Sequence, residues 1–147
     1  MTRQEATVRV LAAKKAKGLS FEEIAKAIGR HQVWTTAALM GQASMSAEEA
    51  MATVKLLGLE PEVIDVLQEF PLKGSLASAV PVDPLIYRFH EITQVYGTAM
   101  KAIIHEMFGD GIMSAIDFEI DIQKKEDPKG DRVIVTYNGK FLPYRKW

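Results

Sequence analysis

The sequence predicts an α+β protein in which a bundle of short helices precedes a long helix and a small β-sheet. In residues 1–70, apolar residues recur at helical spacing in short segments that Gly or Pro separates. A much longer amphipathic segment starts at Asp83. After Ser114 the apolar period changes to two, which is typical of half-buried strands. These three observations predict the fold class.

The composition of the 147-residue chain limits its function. Lys and Arg number 18 against 19 Asp and Glu, so the basic excess typical of nucleic-acid-binding proteins is absent. The sequence contains no Cys, which excludes disulfides, zinc–thiolate sites and thiol nucleophiles. No apolar run approaches the ~20 residues of a membrane span, and the first residues lack the apolar core of a signal peptide. We therefore expect a cytoplasmic protein with no membrane partner.

Five short helices are predicted in the N-terminal region. Capping boxes, in which a Ser and a Glu three residues later cap each other, predict helix starts at Ser20 and Ser46. Glycines predict helix ends at Gly18, Gly29, Gly41 and Gly58. The five predicted helices cover about residues 3–17, 20–28, 31–40, 46–57 and 61–70.

The second and third of these helices resemble a helix-turn-helix module of the phage-repressor or POU-specific type. Ala25 and Gly29 stand where the small residue and the turn glycine of that motif belong. The helix after His31 would then enter the DNA major groove, but it contains no Lys or Arg. Residues 1–80 carry nine basic and nine acidic residues, so the phosphate contacts that dominate affinity are lacking. We therefore expect no nucleic-acid partner.

A linker is predicted over residues 71–81, which Pro71 and Pro81 bound and which contains Gly74. It divides the chain into a helical helix-turn-helix-like domain at residues 1–75 and a second domain at residues 76–147. A transcription regulator with a C-terminal dimerisation domain is the alternative function that this division allows.

The long helix begins with Asp83 as a plausible N-cap and Pro84 at the first helical position. Arg88 and Glu91 are three residues apart on it, so their side chains can meet. Ser114 follows the helix in a short turn before a strand. The predicted apolar face consists of Leu85, Phe89, Ile92, Tyr96, Ala99, Ile103 and Met107.

The predicted sheet has about three strands. The first covers about residues 116–123 and the second residues 132–137, with a charged turn between them. Asn138-Gly139 is a hairpin signal and predicts a return strand at residues 140–142. A sheet of this size is marginal alone, so we expect a second copy of the chain to complete it.

Arg88, Glu91 and Ser114 are the candidate site residues. A guanidinium matches a small planar oxyanion, and a serine hydroxyl offers one donor and two acceptors. From spacing alone, a surface ion pair and an ordinary turn serine remain open as the alternative. Metal binding is not predicted, because the histidines lack ligand spacing. These are His31, His90 and His105.

Three motifs in the second half of the chain resemble the cyanase family, also called cyanate hydratase or cyanate lyase. They are Asp83-Pro84-x-x-Tyr87-Arg88-Phe89-x-Glu91, then His105-Glu106-x-Phe108-Gly109-Asp110-Gly111-Ile112-x-Ser114, and the ending Asn138-Gly139-Lys140-Phe141-Leu142-Pro143. The resemblance extends over nearly the whole chain. One departure is His90, which stands where the family is expected to have Tyr, and we expect its side chain to point away from the site.

The resemblance implies a lyase that decomposes cyanate with bicarbonate, by way of carbamate, to ammonia and carbon dioxide. It implies that Arg88, Glu91 and Ser114 are catalytic, that bicarbonate is a co-substrate, and that neither a metal nor an organic cofactor is required. It also implies a homodecamer of five intertwined dimers, with the helical bundle serving packing and assembly. An oligomer that has lost activity is a further interpretation, which the intact trio argues against.

Overall fold

The computed structural model of the chain, which describes residues 1–74 and 76–147, has an α+β fold. The described residues form six helices and one two-stranded antiparallel sheet, so the predicted fold class is confirmed. The chain divides into two compact units, Met1–Ser75 and Leu76–Trp147, called here unit 1 and unit 2. Ser75, at the predicted domain boundary, lies outside the described residues.

Unit 1 contains five helices, and their starts follow the predicted capping boxes. Ser20 pairs with Glu23, and Ser46 with Glu49. A further box at Thr2, before the first helix, was not predicted. The fifth helix is shorter than predicted. The helices are α1 (Arg3–Ala16), α2 (Phe21–Ile28), α3 (Gln32–Leu39), α4 (Ala47–Leu57) and α5 (Glu62–Gln68).

All five helices of unit 1 contribute to one hydrophobic core, whose largest members include Val10, Ile24, Leu39, Leu57 and Leu67. Between α2 and α3 the backbone turns at a glycine with a φ of 71°, a left-handed conformation that favours glycine. The residue four positions before this glycine is a buried alanine, Ala25. This arrangement is consistent with the predicted helix-turn-helix-like bundle.

Unit 2 begins with the long helix α6 (Pro84–Phe108). The Asp83 carboxylate accepts hydrogen bonds from the backbone N–H groups of Leu85 and Ile86, and Pro84 occupies the first turn, as predicted. Although its apolar face is present, α6 has no buried residue, and Leu85 and Met107 remain 68% and 69% exposed. In a single chain this face therefore lacks the packing that its pattern calls for.

The sheet of unit 2 is a hairpin of β1 (Gly111–Lys125) and β2 (Arg132–Pro143). The predicted charged turn connects them, but the predicted return strand after Asn138-Gly139 is wrong. Gly139 lies inside β2, where it pairs with Phe118 of β1, and it does not have a positive φ. A Cβ there would lie 2.5 Å from the Met113 side chain, so this glycine serves close approach rather than a turn.

Three contacts join the hairpin to the end of α6. The Nε2 atom of His105 lies 3.2 Å from the carbonyl oxygen of Gly111, and the Tyr144 N–H donates to the Asp110 carbonyl at 3.1 Å. The rings of Phe108 and Phe141 stack with centroids 5.0 Å apart. These three contacts fix the start of β1 against the end of the helix.

Across the described residues, none of the helices combines the length and apolarity needed to cross a membrane.

Candidate active site

Arg88 and Glu91 lie near the start of α6 and form the predicted i,i+3 pair. The Arg88 Nη1 atom is 3.6 Å from Glu91 Oε2, with the two side chains 60% and 49% exposed. The guanidinium also lies over the ring of Tyr87, 5.6 Å from its centroid. An exposed pair of this kind contributes little to stability, so its two charges remain available to a ligand.

His90, the one departure inside the cyanase-like motif, contacts side chains other than that pair. Its Nε2 atom lies 3.1 Å from Gln94 Nε2, and its ring centroid is 5.9 Å from that of Tyr87. Residues at positions 90 and 94 are one helical turn apart and share a face. The imidazole therefore lies on the Gln94 side of α6, and the ion pair between Arg88 and Glu91 forms without it.

Ser114 lies inside β1, because that strand begins at Gly111. The prediction that Ser114 lies in a turn before the strand is therefore wrong, because the strand starts three residues before this serine. Locally the backbone does depart from the ladder, since the pairing register shifts between Met113 and Phe118. The irregularity is a bulge opposite β2, and Ser114, 5% exposed, is its first residue.

The hydroxyl of Ser114 is held by the bulge itself. Its Oγ atom accepts hydrogen bonds from the backbone N–H groups of Ile116, at 3.0 Å, and Asp117, at 2.9 Å. A serine oxygen has two lone pairs, so both acceptor positions are occupied and the O–H hydrogen remains to donate. This geometry suits a hydroxyl that donates a hydrogen bond to an anionic oxygen.

One chain brings two of the three predicted site residues together. Ser114 makes no hydrogen bond to Arg88 or Glu91 in the described part of the chain. From Arg88 to the end of α6 the helix rises about 30 Å, at ~1.5 Å per residue. The strand that carries Ser114 starts only after that end. Within a single chain the length of α6 therefore separates Ser114 from the Arg88–Glu91 pair.

Sequence reasoning missed the backbone donors of this region. The two N–H groups that hold the Ser114 hydroxyl belong to Ile116 and Asp117, residues that the alternation assigned to a regular strand. A bulge depends on how two strands pair, and pairing leaves no residue signature in either strand alone. The only local signal was Gly139, which we interpreted as a turn residue.

A metal centre is not indicated by the described residues, which contain no group of three or more His, Cys, Asp or Glu side chains that could hold an ion. At the bulge, Lys140 and Asp117 form a charged contact in which the Nζ and Oδ2 atoms are 3.9 Å apart. Both side chains are well exposed, so this is a loose surface pair.

The comparisons with known proteins agree with the sequence motifs. Residues 3–71 match the family described as cyanate hydratase, N-terminal, and residues 78–146 match the cyanate lyase C-terminal domain. The chain belongs to the cyanate hydratase family. A cyanate hydratase of Synechococcus sp. (strain CC9311) is 60% identical over 141 residues, which are 96% of this chain and 94% of the relative.

Two further relatives extend the match over the full length and the fold. The cyanate hydratase of Thiobacillus denitrificans (strain ATCC 25259 / T1) is 55% identical over 147 residues, the whole of both chains. The crystal structure of cyanase from T. urticae superposes with a TM-score of 0.86 at 43% identity, covering 94% of this chain and 96% of that one. These matches support the enzyme interpretation over the transcription regulator.

Proposed function

We propose that this chain is a cyanate hydratase, a lyase that decomposes cyanate with bicarbonate to ammonia and carbon dioxide. The observation that carries the proposal is the family match over both halves of the chain, together with Arg88, Glu91 and Ser114 in the matching motifs. A bicarbonate oxygen attacks the cyanate carbon, the adduct takes up a proton, and carbon dioxide leaves carbamate behind. Carbamate then takes up a second proton and separates into ammonia and carbon dioxide.

The main physical obstacle to this reaction is charge, because both substrates are anions. A fixed guanidinium offsets their repulsion, and its planar fork can orient the planar bicarbonate beside the linear cyanate, which a lysine would do less well. In the single chain the Arg88 side chain is exposed and forms an ion pair with Glu91. Rate acceleration then comes from electrostatic stabilisation and from holding two reactants in attack geometry.

Ser114 and Glu91 have complementary roles in the proposed site. The Ser114 hydroxyl donates to a substrate oxygen, because its acceptor positions are occupied by backbone N–H groups. Glu91 orients the Arg88 guanidinium through their ion pair. The reaction consumes protons, and Glu91 is the carboxyl group of the trio that can transfer one, so we assign it a second role as proton shuttle.

The three groups are proposed to meet between copies of the chain. The exposed apolar face of α6 and the two-stranded sheet require cover, and a second copy supplies it. We propose intertwined dimers through unit 2, five of which form a decamer, with unit 1 serving packing and assembly. Unit 2 is then the catalytic and dimerisation domain. We further propose that the enzyme acts in the cytoplasm without a metal or organic cofactor.

Ammonia release measured with and without bicarbonate tests the function. Purified protein in buffer stripped of carbon dioxide is expected to release little ammonia from cyanate, and added bicarbonate is expected to restore the rate in a saturable manner. The Arg88→Lys variant keeps the charge but loses the planar fork, so we expect about a 100-fold loss of kcat/KM. Lys101→Arg, at an exposed position of the same helix, is the matched control and should keep full activity.

Two outcomes would contradict the proposal. Full-rate ammonia release in carbonate-depleted buffer would show that bicarbonate is not a substrate. Near-normal turnover of Arg88→Lys at saturating bicarbonate would show that Arg88 acts as a simple positive charge or lies outside the site.

A further inference from the structure

We propose that Gly139 is a positioning residue for Ser114, acting through direct contact of the two strands at the bulge. The proposal rests on the function proposed above. Gly139 lies in β2, opposite Phe118, the residue at which the regular ladder resumes after the bulge. It does not touch the Ser114 hydroxyl. It leaves the space into which the Ser114 backbone fits.

The contact is closer than any side chain permits. A Cβ atom built on Gly139 would lie 2.6 Å from the carbonyl oxygen of Ser114, 2.5 Å from the Cγ atom of Met113 and 3.1 Å from its Sδ atom. Real Cβ atoms essentially never approach other heavy atoms within 3.0 Å, so one side must move. A change of the Met113 χ1 angle can move its Cγ and Sδ atoms aside, whereas the Ser114 carbonyl belongs to the backbone that carries the hydroxyl.

Conformational freedom does not explain the glycine, because Gly139 does not have a positive φ. Gly130, in the turn of the same hairpin, is the opposite case. It has a φ of 122°, and a Cβ there would meet nothing within 4 Å. The hairpin thus contains a glycine needed for its backbone angle, Gly130, and glycines needed for space, Gly111 and Gly139, of which Gly139 lies against Ser114.

A shift of Ser114 would disturb its hydroxyl as well as its carbonyl. The Oγ atom depends on two hydrogen bonds, from the N–H groups of Ile116 and Asp117, and both span only two or three residues. Moving the Ser114 backbone by a few tenths of an ångström changes the lengths and angles of both bonds, to which hydrogen bonds are sensitive. The donor direction of the hydroxyl is then lost.

The first experiment compares Gly139→Ala with Gly130→Ala in full-length protein. Both changes strain the same hairpin, but only the first touches the bulge. We expect kcat/KM of Gly139→Ala to fall about 10-fold to 100-fold, while its light-scattering mass stays that of the wild type. The division of the loss between kcat and the two KM values should match that of Ser114→Ala. Wild-type kinetics for Gly139→Ala, or an equal loss in Gly130→Ala, would overturn the proposal.

Combining the changes tests whether Gly139 acts through Ser114. If it does, Gly139→Ala added to Ser114→Ala should cause no further loss of the residual activity, because coupled residues are not additive. Independent, multiplying losses would overturn the assignment. Met113→Ala combined with Gly139→Ala removes the side-chain contact and leaves the carbonyl contact, which also helps the variant to fold. Full activity of that pair would mean that the glycine only accommodates Met113.

Hydrogen exchange provides a readout that does not depend on activity. Gly139→Ala is expected to lose protection at the amides of Ile116 and Asp117 while the regular ladder around residues 120–123 stays protected. Unchanged protection at both amides would overturn the proposal even if activity were lost. A wild-type protein without cyanate-dependent ammonia release would refute the proposed function instead, and the exchange measurement would still decide the effect of Gly139 on the bulge.

Discussion

The two units of this chain differ in how much of their own surface they can bury. Among the described residues, every buried hydrophobic side chain lies in unit 1, between Ala6 and Leu67. In unit 2 the only buried residues are Gly111 and Ser114. Unit 1 therefore has a core that stabilises it within one chain, whereas unit 2 has apolar surface without cover.

The difference separates folding from function. The proposed catalytic residues belong to the unit that does not bury its own apolar surface, and two of them lie on α6, which has no buried residue. Small anions need a site enclosed on several sides, which one helix face and one strand bulge do not provide. If other copies supply the remaining walls, assembly and site formation are the same event. A change in the core of unit 1 that leaves assembly intact should then leave the chemistry unchanged.

A charge on the apolar face of α6 is expected to have the largest effect. Ile103→Asp, at a residue 58% exposed in the single chain, would bury an unpaired carboxylate in the assembled protein. We predict loss of the oligomer in light scattering and at least a ~100-fold loss of activity, with the helical signal of unit 1 retained. Lys101→Asp, two residues earlier on the same helix, is the control and should assemble normally.

An active monomer would contradict the idea that unit 2 needs other copies of the chain. If Ile103→Asp kept wild-type activity at monomer mass, the site would be complete within one chain, and the exposure of α6 would need another explanation.

Mixed oligomers should sharpen the comparison by showing which copies build the site. Inactive Arg88→Ala and Ser114→Ala chains, unfolded together and reassembled, are predicted to regain part of the activity, because some sites receive an intact helix and an intact bulge. Arg88→Ala mixed with Glu91→Ala is the matched control. Since these residues form a pair on one helix, every site keeps a defect and the mixture should stay inactive. A first mixture as inactive as its parents would place all three groups in one chain.

Sequence reasoning was accurate where local chemistry decides structure. Capping boxes at Ser20 and Ser46, the N-cap at Asp83 and the pairing of Arg88 with Glu91 all depend on residues three positions apart or fewer. Such contacts form within one helix, so their spacing predicts them.

Prediction from the sequence was wrong where the structure depends on how two strands pair. Asn138-Gly139 has the residues of a tight turn, but β2 continues through this dipeptide. The reason is that β1 is long enough to pair with β2 both before and after its bulge. The position of Ser114 depends on the same pairing. The register of a hairpin is a property of both strands, and neither sequence alone contains it. The catalytic assignment of Arg88, Glu91 and Ser114 stays a prediction.

Loss of the partly buried guanidinium of Arg3 in unit 1 should reduce stability without affecting catalysis. Arg3 donates to the carbonyls of Ala43, at 2.6 Å, of Ala38, at 3.4 Å, and of Val66, and so ties three parts of the bundle together. Arg3→Met keeps an apolar stem but removes all three charged hydrogen bonds, although the carbonyls of Ala38 and Val66 keep backbone N–H donors. This loss should cost about 2–4 kcal/mol in chemical denaturation.

The control for Arg3 is Arg9→Met, which removes an exposed pair with Glu60 and should cost less than about 1 kcal/mol. At a temperature where Arg3→Met is folded, its activity per assembled chain should equal that of the wild type. A loss of activity in the fully folded variant would contradict the separation of the two units.

The smallest effect is expected at Glu49, whose side chain is 9% exposed and pairs with the Arg30 guanidinium. Burial by itself raises the pKa of Glu49, but hydrogen bonds from the Ser46 backbone N–H and from Arg30 outweigh it, so the pKa lies below its ordinary value of 4.5. A lowered pKa in the folded state means that the ionised form stabilises the protein above pH 4.5. This contribution disappears as the pH falls through the folded-state pKa.

Glu49→Gln isolates that contribution, because glutamine can still cap Ser46 but carries no charge. Arg30 is more than half exposed, so solvent screens the pair, and we predict a loss of about 1 kcal/mol at pH 7. In urea denaturation the two proteins should converge as the pH falls through the lowered pKa of the wild-type carboxyl. Glu48→Gln, at the exposed neighbouring position, should change stability by less than about 0.5 kcal/mol. A Glu49→Gln deficit that stayed constant over the whole acid range in which the wild-type protein remains folded would show that the side chain contributes through packing rather than through charge.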